Sequence, residues 1–334
     1  MPNPVSDTTR CPLLLEPELV ARPWGGRRLA PLVPVGAAPA GPIGEAWLAG
    51  PDSRVVGSAR PGVGAARLRD LAAEHGEAFV GHIPFARYGA RVPLLAKLLD
   101  AAAPLSLQVH PDDAYALREE AHTGYLGKTE VWYVVEAEPG ASVLWGWERS
   151  VGEEEVRAAV VAGRLEQLLR RVPVRAGDVI VNEAGVVHAV GAGIVLYELQ
   201  QASDLTYRLY DYDRRDARGR ARELHLDKAL AVARLTPEER LEPPQPLGAG
   251  RLQLARTHAF TLERWSLGVQ AAPGGQAWQV QPRSLELWTV LAGEAWLSSG
   301  AGEVHLGAND TALLPAGLGA ARWRGRATLL RGYV

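Results

Sequence analysis

Two spacings of apolar residues run along this chain and predict different elements. Alternation at every second position, the signature of a strand with one face in a core, marks EAWLAG at 45–50, PLSLQVH at 104–110 and TEVWYVVEA at 129–137. V/I-rich runs separated by glycine turns fill VRAGDVIVNEAGVVHAVGAGIVLYELQQ at 174–201, the pattern of a β-barrel. Residues 13–60 read as short strands and turns, and the tail 251–334 repeats that texture in FTLERWSL, LELWTVLAGEAWLSS and ARWRGRATLLRGYV. Helical spacing predicts helices near 65–80, 113–121, 150–172 and 222–235. Asp112 or Asp113 suits the cap of the second, and Ser150 that of the third, which carries acids in its first turn and arginines in its last. After the last of these helices, TPEERLEPPQPLGAG at 236–250 is proline-rich, charged and without apolar period, and reads as a linker. The expected organisation is a unit over 1–235, that linker, and a second unit over 251–334.

A weak internal repeat joins the two. VRAGDVIVNEAG at 174–185 and VHLGANDTALLPAG at 304–317 share strand, glycine, Asp178 or Asp310, strand, then Ala-Gly. Only the first copy continues to a histidine, His188, so metal chemistry is expected in the first unit.

Composition narrows the function. The chain has 334 residues, 47% of them hydrophobic, enough for substantial cores. Its 36 basic and 38 acidic residues give a net charge of -2, which argues against nucleic acid or an anionic membrane as partner and for a small molecule. Cys11 is alone and cannot form an internal disulfide, and the opening MPNPVSDTTRCPLLL lacks a signal peptide's charge and apolar run, so a cytoplasmic protein is expected. VPLLAKLLDAAAPLSL is interrupted by Lys97 and Asp100 and falls short of the roughly 20 apolar residues of a membrane span.

The candidate chemistry lies on strand faces. Ser106, Gln108 and His110 point one way from the strand 104–110, which Pro111 terminates. Lys128, Glu130 and Trp132 share a face of the next strand, and His188 sits among glycines that allow close backbone approach. Two imidazoles, a carboxylate and an amide make a mixed nitrogen and oxygen set suited to zinc and tolerable to manganese, cobalt, nickel or iron. Each residue alone has a plainer reading: a histidine in a sheet is ordinarily a hydrogen-bonded structural group, and a strand glutamate or lysine a solvated one. Three segments carrying ligand-type side chains together raise the odds of a site. TGYLGKT is not a phosphate-binding loop, because that pattern needs glycine at position 122, here His122, and a following helix where a strand is predicted.

PLLAKLLDAAAPLSLQVHPDD, GKTEVWYVVEAEPGA and HAVGAGIVLYELQQASDLTYRLYDYDR resemble the type I phosphomannose isomerases, zinc-dependent cupin enzymes, and PWGG at 23–26 with GEAW at 44–47 resembles their short bacterial form. The resemblance implies a mainly β fold of two cupin-type (jelly-roll) barrels with helical insertions, the first carrying the metal. It implies zinc on Gln108, His110, Glu130 and His188, and active-site roles for Arg208 of the S-D-L-T-Y-R segment, for Ser106 and for Lys128. The implied reaction interconverts mannose 6-phosphate and fructose 6-phosphate through a cis-enediol. Arg208, Lys128 and Ser106 would then meet the phosphorylated hexose, and Asp204, Lys128 or a metal-bound water would move the proton, with Asp204 ranked first. No protein partner is implied, and a monomer is expected. Glu183 stands where the family has proline, and Arg-Ala-Gly-Asp at 175–178 where it has a Pro-Gly-Asp turn. Trp24, Trp47, Trp132, Tyr133 and Tyr207 read as packing groups, and Tyr210, Asp211 and Asp213 as a network beneath Arg208. Rival readings are an iron-dependent cupin oxygenase, which oxygen consumption would reveal, and a non-catalytic bicupin sugar-binding protein, which would bind without turnover.

Overall fold

A computed structural model describes residues 8–32, 41–58, 65–215, 219–239, 242–268 and 275–334. Among them the chain is mostly strand: 21 strands lie in sheets of ten, six and five, and the six α-helices are short, the longest spanning nine residues. The ten-stranded sheet carries two strands off its main path, and the six-stranded sheet has one pairing beyond its path. No described helix is long and apolar enough to cross a membrane.

Two compact units form, and neither is continuous in sequence. One comprises Leu19–Ala46 and Leu98–Glu242; the other comprises Met1–Glu18, Trp47–Lys97 and Pro243–Val334. The last crossing falls inside the segment read as a linker, which itself holds the strand Gln245–Gly248. The grouping of N-terminal segments with the C-terminal unit differs from a single boundary near 236–250. Its cause is non-local pairing: Leu13–Leu15 lies antiparallel to Thr311–Leu314 with Leu13 opposite Leu313. The backbone near Gly81 joins the same unit, Leu285 N–H donating to Val80 O at 2.8 Å. A β-carbon on Gly81 would stand 2.5 Å from Ser284 N, so this approach requires glycine.

The helices are shorter than their periodicity predicts. Gly76, at φ +54°, separates Leu68–His75 from Glu77–Val80. Over 150–172 the helix is Glu153–Val161, capped at Gly152 rather than Ser150, then a 3₁₀ turn Leu165–Leu168 follows. Leu169–Pro173 is a strand against Ser142–Trp147, where the sheet edge outweighs local propensity. Asp112 does cap Asp113–Glu119, accepting from Tyr115 N–H at 2.7 Å.

The repeated turn is real in backbone detail. Asp178 accepts Arg175 N–H at 2.9 Å and Asp310 accepts Gly307 N–H at 2.8 Å. Val134 exchanges bonds with Asp178 and Gly177 at 2.9 and 2.8 Å, as Val290 does with Asp310 and Asn309 at 3.0 and 2.7 Å. Counting back from those valines, Glu130-Val-Trp132 matches Glu286-Leu-Trp288.

Each unit builds its own core. Trp24, Trp132 and Trp145 pack with Ile180 and Leu196 in one cluster of the first unit, and Leu107, Trp147, Tyr207 and Leu209 in another. The second unit centres on Trp265, Trp288 and Trp323. Trp24, Trp132, Tyr133 and Tyr207 are buried, as packing groups should be. Trp47 is half-buried with the Lys97 ammonium 5.0 Å from its ring centre.

Candidate metal centre

Three strands of the first unit bring the sequence-predicted donors together. Gln108 lies in Leu107–Val109, with His110 just beyond it; His188 opens His188–Val190, directly opposite Gln108 in the ladder. Glu130 opens Glu130–Ala137, in the six-stranded sheet. Donor atoms of His110, Glu130 and His188 all lie within 4.8 Å of one another, and all three residues are buried. His188 Nε2 is 3.1 Å from Glu130 Oε1, His110 Nε2 is 3.4 Å from Glu130 Oε2, and the Gln108 amide is 3.5 Å from His188 Nε2.

The hydrogen bonds fix which nitrogen carries a proton. His110 Nδ1 is 2.8 Å from Leu205 O and His188 Nδ1 is 2.9 Å from Val186 O. A carbonyl only accepts, so each Nδ1 must donate, which leaves each Nε2 facing the carboxylate. Nitrogen and oxygen donors converging in a buried space are the setting in which a metal ion is held. Glu130 Oε1 is buried without a hydrogen-bond donor among the described residues, as a metal-ligating oxygen would be. The donor set therefore fits a divalent ion of the zinc type, with the Gln108 oxygen as a further neutral ligand.

Lys128 supplies positive charge at the same place. Its ammonium donates to Glu130 Oε2 and stands 3.2 Å from His110 Nε2. Burial, then that ammonium, push the His110 imidazole down to about 3. Burial works to raise the Glu130 carboxyl, yet Lys128 and the two imidazoles hold it well below the ordinary carboxylate range. Burial likewise works against the Lys128 charge, and Glu130 and Glu198 outweigh it, so the lysine stays charged. Glu198 is a group that motif spacing misses: it is 4% exposed and accepts from Trp132 Nε1 at 3.0 Å. Its signal is a carboxylate in IVLYELQQ, a strand buried at all eight positions.

Arg208, the predicted phosphate ligand, stands in a cluster of arginines with Arg214 and Arg222. Arg208 stands opposite Gln108 in the ladder, its Nε donating to Ser106 Oγ at 3.2 Å and its Nη1 to Glu223 O at 3.0 Å. Burial, then the neighbouring Arg222, lower its pKa. Asp211 is shared by Arg214 and Arg222, leaving surplus positive charge beside Arg208. Of the residues read as a network beneath Arg208, Asp211 bears on it electrostatically, Tyr210 stacks with Tyr212, and Asp213 is exposed. The chain between Ser203 and Arg208 is tied down by Ser203 Oγ donating to Leu126 O at 2.7 Å. Asp204 is exposed, and its charge acts on Lys128 and Arg22. Glu183 is exposed too, and its charge bears on Glu238.

A β-sheet protein with a buried two-histidine, one-carboxylate centre beside an arginine cluster has the equipment of a metal-dependent enzyme for anionic substrates. A family model, "Phosphomannose isomerase type I, catalytic domain", matches residues 13–131. The mannose-6-phosphate isomerase of Streptococcus mutans is 36% identical over 307 residues, 91% of this chain and 92% of that protein. Mannose-6-phosphate isomerase ManA of Bacillus subtilis is 35% identical over 97% of this chain and 99% of its own length. The chain belongs to the type I phosphomannose isomerase family. The crystal structure of the mannose 6-phosphate isomerase from Bacillus subtilis superposes with a TM-score of 0.81 at 30% identity, covering 97% of this chain and 100% of the other. A zinc-bound mannose 6-phosphate isomerase has the same fold at 18% identity, with a TM-score of 0.73 over 96% of this chain and 99% of its own.

Proposed function

We propose that this chain interconverts D-mannose 6-phosphate and D-fructose 6-phosphate, at a zinc ion held by Gln108, His110, Glu130 and His188. Membership of the family and the names of its relatives support the substrate pair. The observation that carries the reading is the convergence of two imidazole nitrogens and a carboxylate on one buried point. We read the two units as cupin-type jelly rolls, the first catalytic and the C-terminal one without a metal; the repeated Asp178 and Asp310 turns support this. The protein is expected to act as a cytoplasmic monomer.

Moving a proton between C2 and C1 passes through a cis-enediol, and the barrier is dominated by negative charge growing on the sugar oxygens. A bound divalent ion supplies Lewis-acid stabilisation of that charge. One anionic and three neutral ligands leave it a net positive charge, a reason for an amide at 108 rather than a second acid. Lys128, kept charged by Glu130 and Glu198, adds a donor for the same developing charge. Arg208 offers forked donors to the phosphate, with Ser106 hydroxyl beside it. Asp204, exposed and electrostatically linked to Lys128, is our assignment for the base.

Incubating the zinc-loaded chain with mannose 6-phosphate in heavy water tests the proposal. Fructose 6-phosphate should form with solvent deuterium entering at C1 or C2. Loaded, folded protein that neither forms the ketose nor exchanges a proton would end it.

A further inference from the structure

Asn182 closes the strand Val179–Asn182 and stands directly opposite Glu130 in the antiparallel ladder. Directly opposed residues share a face, with β-carbons about 4.5–5.5 Å apart, so the amide and the metal-binding carboxylate project side by side into the first unit's interior. Asn182 is completely buried, and neither its Oδ1 nor its Nδ2 has a hydrogen-bond partner among the described residues. Its two amide atoms are thus unpaired on the rung they share with the carboxylate, whose own Oε1 faces His188 Nε2.

The fold satisfies its other buried amides nearby. On the far flank of Glu130, Gln200 Nε2 donates to Ser203 O at 2.7 Å and to Gln201 O at 2.9 Å. Gln201 accepts from Thr129 N–H at 2.9 Å and donates to Asp113 at 3.0 Å. An amide left with nothing to bond is costly, and the next inward residue on the same strand, Ile180 beside Trp132, is apolar. An apolar side chain would serve packing better at 182. What uses both a free donor and a free acceptor is an oxygen that carries a hydrogen, either water or a sugar hydroxyl.

We propose that Asn182 is a further substrate-contacting residue: its amide donates to and accepts from a sugar hydroxyl beside Glu130, and holds a water there when no sugar is bound. This rests on the isomerase reading. Asn182 lies six positions before His188 in sequence and opposite Glu130 in space, so its reach is set by the same ladder that positions Glu130.

Asn182→Leu, similar in shape and without polar atoms, gives the test, with sorbitol 6-phosphate as a probe that carries hydroxyls and phosphate but cannot isomerise. By titration calorimetry on zinc-loaded protein, affinity for the probe should fall about tenfold, with zinc content unchanged and melting temperature equal or higher. The Michaelis constant for mannose 6-phosphate should rise in parallel. Probe affinity within twofold of wild type would overturn the assignment, and so would loss of zinc, which would make Asn182 a support for the metal. Should the leucine variant not fold, Asn182→Ser carries the test: weaker probe binding with zinc retained is expected, and unchanged binding overturns the proposal. Failure of the isomerase reading would appear separately, as absent turnover in loaded wild-type protein.

Discussion

At the scale of single residues, the site is an exercise in placing charge where burial opposes it. Glu130 is the only anion among the four proposed ligands, and Lys128, His110 and His188 all face it. Glu130→Gln keeps the shape and removes the charge. Loss of an outer hydrogen-bond partner already weakens metal sites about 10- to 100-fold, so loss of this ligand should weaken zinc binding by more than about 100-fold. Chelator competition would measure it, with far-UV circular dichroism unchanged. His110 supplies a pH signature. Its folded value of about 3 lies below the unfolded value of about 6.5, so between those limits the unfolded chain binds the extra proton. Zinc-free protein should therefore lose stability steadily as pH falls from about 6.5 towards 3, and His110→Gln should flatten that slope in thermal melts.

At the scale of elements, the turn after the first ligand strand is clamped to the start of the second. Lys128 N–H donates to Pro111 O at 3.0 Å, Gly127 N–H to Asp113 Oδ1 at 2.8 Å, and Gln201 Nε2 to the same oxygen at 3.0 Å. A β-carbon on Gly127 would come 2.5 Å from Asp113 N, which is why the GKTE segment begins with glycine. Asp113→Ala frees Gly127 and Gln201 at once, and about 1–3 kcal/mol of stability should go, read from denaturant melts. Metal affinity should drop roughly tenfold, because His110 and Glu130 are held in register through this clamp. The two strands and the Asp112 cap were legible in the sequence because alternation, proline and capping are local signals. The helix break at Gly76 and the strand beginning at Leu169 were less so, since one depends on a positive φ and the other on a neighbouring strand. Glu198, Asn182 and the Asp113 clamp were missed for a common reason: their significance lies in what stands opposite them, which no spacing along the chain records.

At the scale of the whole molecule, two units share a turn and an E-x-W-x-V strand yet solve the buried carboxylate differently. In the first, Glu130 meets the imidazoles and Lys128. In the second, the matching Glu286 accepts from Arg331 Nη2 at 2.7 Å and from Trp288 Nε1 at 2.7 Å. Glu263 meets the same guanidinium at 3.2 Å and accepts from Tyr333 Oη at 2.9 Å. A permanently charged side chain thus stands where the first unit, on the proposed reading, would recruit an exchangeable ion, and the two acids already share a cation. Arg331 is 6% exposed, so removing it strands two buried carboxylates. Arg331→Met, which keeps the stem and the packing on Trp278, should cost about 3–5 kcal/mol in denaturant unfolding. Zinc stoichiometry of the folded variant should stay at the wild-type value, because its target lies in the other unit. Glu130→Gln should do the reverse, releasing zinc while sparing the C-terminal unit. An Arg331→Met protein as stable as wild type would mean that the guanidinium does not replace a cation, and that the second unit keeps its acids by some other means.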